Sequence, residues 1–180
     1  MERLIAVTSE DDIFPEYRGT PIGALLEYHN LGRPFEEYSQ AQLLVGMCMD
    51  NRVRLRRPRN FAYIIRSAGT ILRSADFTVS YAIAVGGVKA IALVGHSDCG
   101  MVNLEGRREA FIQGLVDNAG WTPGWAEEHF MHHNPVFEIG NEVDAALYEA
   151  RRLQLRYPKV LVVPFLYRVE DDLLYEIREG

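Results

Sequence analysis

Cysteine is scarce in this sequence, and long apolar runs are absent from it. Only two cysteines occur among 180 residues, Cys48 and Cys99, too few for the disulfide framework of a small secreted domain. No apolar run approaches the roughly 20 residues that cross a bilayer, and the start "MERLIAVTSEDD" is too acidic for a signal peptide. We therefore expect a cytoplasmic protein with no membrane contact, whose thiols serve a metal or catalysis.

The sequence also lacks an excess of positive charge. Its 25 acidic and 19 basic residues give a formal net charge of −6, which argues against nucleic acid as a partner because phosphates require a basic face. The arginine-rich stretch "RVRLRRPR" (52–59) is accordingly expected to be a solvated loop or a dimer contact. With 48% hydrophobic and 24% charged residues, the chain is predicted to form one globular domain, 1–180.

Apolar stretches of strand length alternate with helical patterns along the chain. Strands are predicted at 41–49, 60–69, 89–95, 159–167 and 173–179. Helices are predicted at 74–87 and from Pro135 to Pro158. This alternation predicts an α/β fold with a mostly parallel central sheet flanked by helices. The site of such a sheet is expected at the carboxyl ends of its strands.

Two of these elements have features that predict local structure. Ser74 is the predicted N-cap of the helix 74–87. The apolar stripe of that helix consists of Phe77, Tyr81 and Val85. Pro164 interrupts the fourth strand, where it indicates a bulge or an edge position because proline cannot donate to the ladder.

Two further segments are predicted to make contacts outside the core. Residues 1–35 read as an N-terminal helical arm, with Thr20 as N-cap. Its apolar residues Ile22, Leu25 and Leu26 have no obvious partner in so short a chain, so we expect a dimer contact there. The stretch "WTPGWAEEHFMHHNP" (121–135) is predicted to be an irregular loop that covers the site or the dimer. A second metal on its histidines is the less favoured alternative, because adjacent histidines rarely face one ion.

Reactive side chains cluster at the ends of two predicted strands. In "CMDNRV", Cys48, Asp50 and Arg52 fall on alternate positions and share one side of an extended chain. In "GHSDCG", His96 and Cys99 follow another strand. Two thiolates and one imidazole suit zinc and leave a fourth position open. The simpler alternatives are buried cysteines that act as small hydrophobes and an ordinary surface ion pair.

The motifs "CMDNRV", "RSAG" and "GHSDCGM", between Leu43 and Met101, resemble those of the β-class carbonic anhydrases. The resemblance implies that the zinc ligands are Cys48, His96 and Cys99. It implies that Asp50 and Arg52 form a gating pair beside the metal. Candidate residues for an apolar substrate pocket are Phe61, Tyr63 and Val85.

The function implied by this resemblance is zinc-dependent, reversible hydration of carbon dioxide to bicarbonate and a proton. The family also includes hydrolases of carbonyl sulfide and carbon disulfide that use the same ligands, and a non-catalytic zinc-binding member is a third alternative. The implied assembly is a homodimer or a multiple of dimers. Asn51, Ser67 and the segment around Pro164 depart from the usual family residues, so the choice of substrate stays open.

Overall fold

A computed structural model describes residues 3–178 of the chain, so Met1, Glu2 and Glu179, which belong to the predicted arm and last strand, lie outside it. In the described part the chain forms six strands and five α-helices. In chain order these are β1 (Leu4–Ala6), α1 (Pro21–His29), β2 (Leu43–Cys48), β3 (Ala62–Ser67), α2 (Asp76–Ala84), β4 (Ala90–His96), α3 (Arg108–Ala119), α4 (Pro123–Phe137), α5 (Glu142–Arg156), β5 (Leu161–Arg168) and β6 (Leu173–Ile177).

The strands form one mixed sheet in the order β1-β6-β5-β4-β2-β3. The four strands β2 to β5 run parallel, whereas β6 is antiparallel to both β5 and β1. Every residue of β2 and β4 is buried, because helices cover both faces of the sheet. The predicted α/β fold with a mostly parallel sheet is confirmed.

The sheet order decides where the reactive residues meet. Strands β2 and β4 are neighbours, with Met47 opposite Val94. Cys48 ends β2 and His96 ends β4, so both lie at the same edge of the sheet. The predicted meeting of these carboxyl ends is therefore confirmed.

Helix α1 packs within its own chain, so the expectation that its apolar residues lack a partner is wrong. Thr20 caps the helix as predicted, accepting hydrogen bonds from the backbone N–H groups of Ile22 and Gly23. The apolar side chains of α1 are fully buried in the core on one face of the sheet: Ile22, Leu25, Leu26 and Tyr28. Strand β1, which sequence reasoning assigned to a helical arm, pairs with β6 instead.

Helix α2 turns its predicted stripe outward. Phe77 is 82% exposed and Val85 is 67% exposed, whereas Val79 and Ala82 are buried against the sheet. The helix begins at Asp76 after a short 3-10 turn that includes Ser74, so the predicted N-cap at Ser74 is wrong. Packing in the core of this chain therefore does not account for the apolar stripe of α2.

The region between β4 and β5 is more helical than its sequence suggested. Residues 121–135 were predicted to form a loop, but Thr122 caps helix α4, which runs from Pro123 to Phe137. The last helix begins at Glu142 with Asn141 as its N-cap rather than at Pro135. The predicted edge position of Pro164 is wrong, because β5 lies between β4 and β6 and Pro164 pairs with Leu93 of β4. Pairing between β5 and β6 starts only at Phe165, so Pro164 sits outside that ladder. No described helix is long and apolar enough to cross a membrane.

Candidate metal centre

Three soft ligands converge where β2 and β4 end. The Sγ atoms of Cys48 and Cys99 and a ring nitrogen of His96 lie within 4.8 Å of one another. The three residues are between 1% and 5% exposed, and both cysteines are free thiols. The group is surrounded by apolar side chains that include Ile71 and Ile139, so water has little access to it.

A hydrogen bond to the neighbouring backbone carbonyl fixes the orientation of the His96 imidazole. Its Nδ1 lies 2.9 Å from the carbonyl oxygen of Ser97, which can only accept, so the proton belongs on Nδ1. The Nε2 atom then carries the free lone pair. That atom is buried and has no hydrogen-bond partner within residues 3–178, which is unusual for a buried polar atom. A metal ion would satisfy it, since ligating histidines commonly donate their other N–H to a carbonyl.

The two thiols interact, and their interaction shifts their pKa values in opposite directions. The hydrogen bond from Cys99 lowers the pKa of Cys48, and the nearby His96 lowers it further, although burial opposes both effects. The same interaction with Cys48 and burial raise the pKa of Cys99. The pair therefore holds a thiolate readily, and a cation of soft or borderline type would displace the remaining proton. A cysteine, cysteine and histidine set fits zinc with one open position.

The loop that carries Cys99 is held from two sides. Glu142, in the first turn of α5, accepts a hydrogen bond of 3.1 Å from the backbone N–H of Cys99. Gly95 allows this approach, because a Cβ there would lie 3.2 Å from the carbonyl oxygen of Glu142. On the other side, the hydroxyl of Ser97 accepts from the N–H of Val169 at 3.0 Å. Sequence reasoning missed these supports, which join segments far apart in the chain.

Asp50 and Arg52 form a charged pair next to the three ligands. Arg52 donates to both carboxylate oxygens of Asp50 through Nε and Nη2, at 2.7 to 3.1 Å. These bonds and the backbone N–H of Arg52 lower the pKa of Asp50 to about 2. The Oδ2 atom of Asp50 is 4.0 Å from Nε2 of His96. An ionised carboxylate is thus positioned beside the lone pair that would face a metal.

The arginine also ties this pair to the ligand loop. Its Nη1 donates to the carboxylate of Asp98 at 2.8 Å, and its Nη2 donates to the Asp98 carbonyl at 3.0 Å. Asp98 has a φ of 57°, a left-handed conformation that aspartate tolerates better than most residues. Asp98 was not among the predicted site residues, although it lies between His96 and Cys99 in the motif.

A second arginine, Arg66 of β3, fixes the segment that leaves β2. Its Nη1 donates to the carbonyl oxygens of Cys48 and Asp50 at 2.8 and 3.1 Å, and its Nη2 donates to that of Val53 at 2.9 Å. Three carbonyls of one bend therefore bind one guanidinium. This contact sets the direction in which Asp50 leaves the strand.

The predicted pocket residues are not brought to this cluster within one chain. Phe61 is buried in the core, just before β3 begins, and Tyr63 pairs with Leu44 at the amino-terminal half of β2. Val85 follows α2 and is exposed. The apolar side chains beside the ligands are instead those of Ile71 and Ile139. Sequence alone gave no signal for Ile139, which follows α4 in the chain.

Comparison with known proteins bears on the identity of this site. A family model described as "Carbonic anhydrase" matches residues 43–144, which is more than half of the 180 residues and includes all three ligands. Comparison with curated protein sequences gives no match.

Solved structures share the fold at low sequence identity. The carbonic anhydrase from Glaciozyma antarctica is 20% identical and has a TM-score of 0.61, with 78% of this chain and 85% of that chain covered. The β-carbonic anhydrase isoform I from Trichomonas vaginalis is 18% identical, with a TM-score of 0.65 and coverages of 83% and 90%. A carbon disulfide hydrolase in its apo form is 22% identical, with a TM-score of 0.58 and coverages of 78% and 80%. The family match and the shared fold show that the chain belongs to the β-class carbonic anhydrase family.

Proposed function

We propose that this protein catalyses the reversible hydration of carbon dioxide to bicarbonate and a proton, with zinc held by Cys48, His96 and Cys99. The observation that carries this proposal is the ionised Asp50–Arg52 pair beside a buried set of three zinc-type ligands. A purely structural zinc site is usually closed by a fourth protein ligand. Here the position beside Nε2 of His96 is faced by a carboxylate that Arg52 already holds.

Each residue of the site has a defined task in this proposal. Bound zinc supplies a nucleophile at neutral pH by lowering the pKa of a water molecule. Asp50 accepts a hydrogen bond from the reacting water and so orients it, which an ionised carboxylate does well. Arg52 keeps Asp50 ionised and fixes the orientation of its carboxylate. Because Arg52 also binds Asp98, the orientation of Asp50 is tied to the loop that carries Cys99.

The surroundings of the ligands suit a small apolar substrate. Ile71 and Ile139 lie against the cysteines, and neither offers a hydrogen bond to a polar competitor. Carbon dioxide is linear and uncharged, so it loses little solvation when it enters such a space. The product, bicarbonate, is an anion, and it is less well solvated in such a space than in water, which favours its exit.

Carbon disulfide and carbonyl sulfide are the alternative substrates. They are linear and apolar like carbon dioxide, and the solved structure of a carbon disulfide hydrolase shares this fold. The ligands and the Asp50–Arg52 pair would serve either reaction. A non-catalytic role is the weaker alternative, because a zinc ion that only stabilises the fold requires neither the charge of Asp50 nor that of Arg52.

A homodimer is also part of the proposal, and a surface different from the predicted arm supports it. Strand β3 is the last strand of the sheet, so one side of its backbone pairs with no other strand among residues 3–178. Beside it lies an exposed apolar patch, formed by Tyr63, Phe77, Tyr81 and Val85. An edge strand with such a patch is a natural place for a second copy of the chain. A reducing compartment such as the cytoplasm fits the two thiols, which must stay reduced to bind zinc.

One substrate comparison tests the reaction. Zinc-loaded protein is assayed by stopped flow for carbon dioxide hydration and, in parallel, for turnover of carbonyl sulfide and carbon disulfide. We expect carbon dioxide to be the preferred substrate, and the Cys48→Ala variant to lose both zinc and activity. Preferential turnover of carbon disulfide would assign the protein to the hydrolases, and inactivity toward all three by the zinc-loaded parent would contradict an enzymatic role.

A further inference from the structure

Helices α3 and α4 form a hairpin whose surface carries aromatic and histidine rings. On α4, Trp125, His129, His133 and Phe137 follow at intervals of four residues and therefore share one face of the helix. Adjacent members of the series from His129 onward are in ring contact, with centroids 4.5 Å apart for His129 and His133 and 6.2 Å apart for His133 and Phe137. His129 and His133 are one helical turn apart rather than adjacent in the chain, so both rings can face one ion.

The nitrogens of the two imidazoles are available. Within the described residues, no hydrogen bond or ion pair engages the ring of His129 or His133, whereas His29 and His96 each have a hydrogen-bond partner on one ring nitrogen. Two histidines one turn apart on a helix face are a recurrent metal-binding arrangement, because their side chains extend side by side. Partial burial, together with repulsion from His129 and His132, lowers the pKa of His133, which keeps its ring in the neutral form that binds metals.

The pair borders a cavity that is open to solvent. This cavity has a volume of about 380 Å³ and is lined by Trp121, Trp125, Glu128, His129, His132 and His133. None of the three residues of the cysteine–histidine cluster lines it. The ring of His132 also contacts His133, at 4.8 Å between centroids, but the three histidines do not converge as tightly as the cluster does. His129 and His133 are thus the closest pair of histidine rings at this cavity.

We propose that helix α4 carries a second metal site, in which His129 and His133 chelate one divalent ion of the nickel, copper or zinc type. Imidazole nitrogen favours these ions, whereas magnesium and calcium prefer oxygen ligands. With two protein ligands, water fills the remaining positions, so the site is weaker than the buried cysteine–histidine cluster and exchanges its ion more freely. The proposal is independent of the reaction catalysed at that cluster.

The two tryptophans make this site directly observable. The chain has only two, Trp121 and Trp125, and both line the cavity, so intrinsic tryptophan fluorescence reports on this surface. Zinc-loaded protein is titrated with Ni²⁺, with Mg²⁺ as the control ion. We expect saturable quenching by about one Ni²⁺ per chain and none by Mg²⁺.

Three single variants test the assignment. His129→Ala and His133→Ala should each weaken Ni²⁺ binding at least about tenfold, whereas the matched control His132→Ala should weaken it less than about threefold. The side chains of His129 and His132 are exposed and that of His133 is half-buried. Zinc content is measured in each variant to verify that the fold and the buried cluster are intact. Unsaturable quenching in the parent, or equal losses in all three variants, would overturn the assignment to this pair.

Discussion

Replacement of Arg66 by methionine is the sharpest test of how the bend after β2 is held. The guanidinium of Arg66 binds the carbonyls of Cys48, Asp50 and Val53. Methionine fills much of the same volume but donates nothing, so the three carbonyls lose a shared charged donor. The metal ligands themselves are unchanged in this variant.

The size of the effect follows from the surroundings of the three bonds. Those to Cys48 and Val53 are partly buried, whereas the one to Asp50 is exposed to water. Water replaces the exposed bond at little cost. Each partly buried bond contributes about 1 kcal/mol, so we expect the free energy of unfolding to fall by about 2 kcal/mol. Loss of orientation of Asp50 should reduce kcat by about tenfold or more, since small misplacements are costly.

The measurement compares two variants that remove the same charge. Urea unfolding, zinc content and carbon dioxide hydration are measured for Arg66→Met and for Arg59→Met. Arg59 is exposed, and it forms no hydrogen bond or ion pair with any described residue, so its replacement should change stability by less than about 0.5 kcal/mol. Zinc should be retained in both. Equal stability and equal kcat in the two variants would refute a positioning role for Arg66.

Three other predictions concern stability and assembly. Leu25→Ala should cost about 3 kcal/mol of unfolding free energy, because Leu25 of α1 is fully buried; a loss below about 1 kcal/mol in urea unfolding would contradict its packing in this chain. Burial raises the pKa of Glu176 from 4.5 to about 7, so ionisation of this residue opposes folding: its own contribution to stability should be greatest below pH 4.5 and fall by up to about 3 kcal/mol as pH rises above 7. Glu176→Gln should remove that part of the pH profile. If the difference in unfolding free energy between the variant and the parent is the same at pH 5 and pH 8, this effect of Glu176 is excluded. Tyr81→Glu should dissociate the dimer in light scattering, whereas Met131→Glu, at a comparably exposed position on α4, should not; a Tyr81→Glu dimer would place the interface elsewhere.

The sheet and its ligands could be predicted because their signals are local. Strands covered on both faces have continuous apolar runs, as β2 and β4 do. Because the carboxyl ends of parallel strands lie at one edge of a sheet, Cys48 and His96 could be placed at the same edge; the sheet order then makes their strands neighbours. The expectation that Cys48, Asp50 and Arg52 alternate along one extended strand is wrong, because β2 ends at Cys48 and a bend closed by the Val53 N–H to Asp50 carbonyl bond places Asp50 and Arg52 beside the ligands.

The failed predictions depend on contacts between distant segments. The stripe of Phe77, Tyr81 and Val85 has the periodicity of a buried face, but the order of the strands leaves it at the edge of the sheet beside β3. The apolar face of α1 seemed unpartnered, since the sheet that covers it is completed by strands more than a hundred residues later. The sequence of α4 has a proline near its end and two histidines in succession, a pattern that indicates a loop. The segment is helical because Thr122 caps it and because it packs against α3.

The most direct test of the central claim is carbon dioxide hydration by the parent and by Asp50→Asn, each with its zinc content measured. Asparagine fills the same space as aspartate but carries no charge, so zinc should be retained at about one per chain. The reacting water then lacks its orienting carboxylate, and we expect kcat to fall on the order of a hundredfold. Equal rates in an active parent and in Asp50→Asn would contradict the account, because Asp50 and Arg52 would then be only an ion pair.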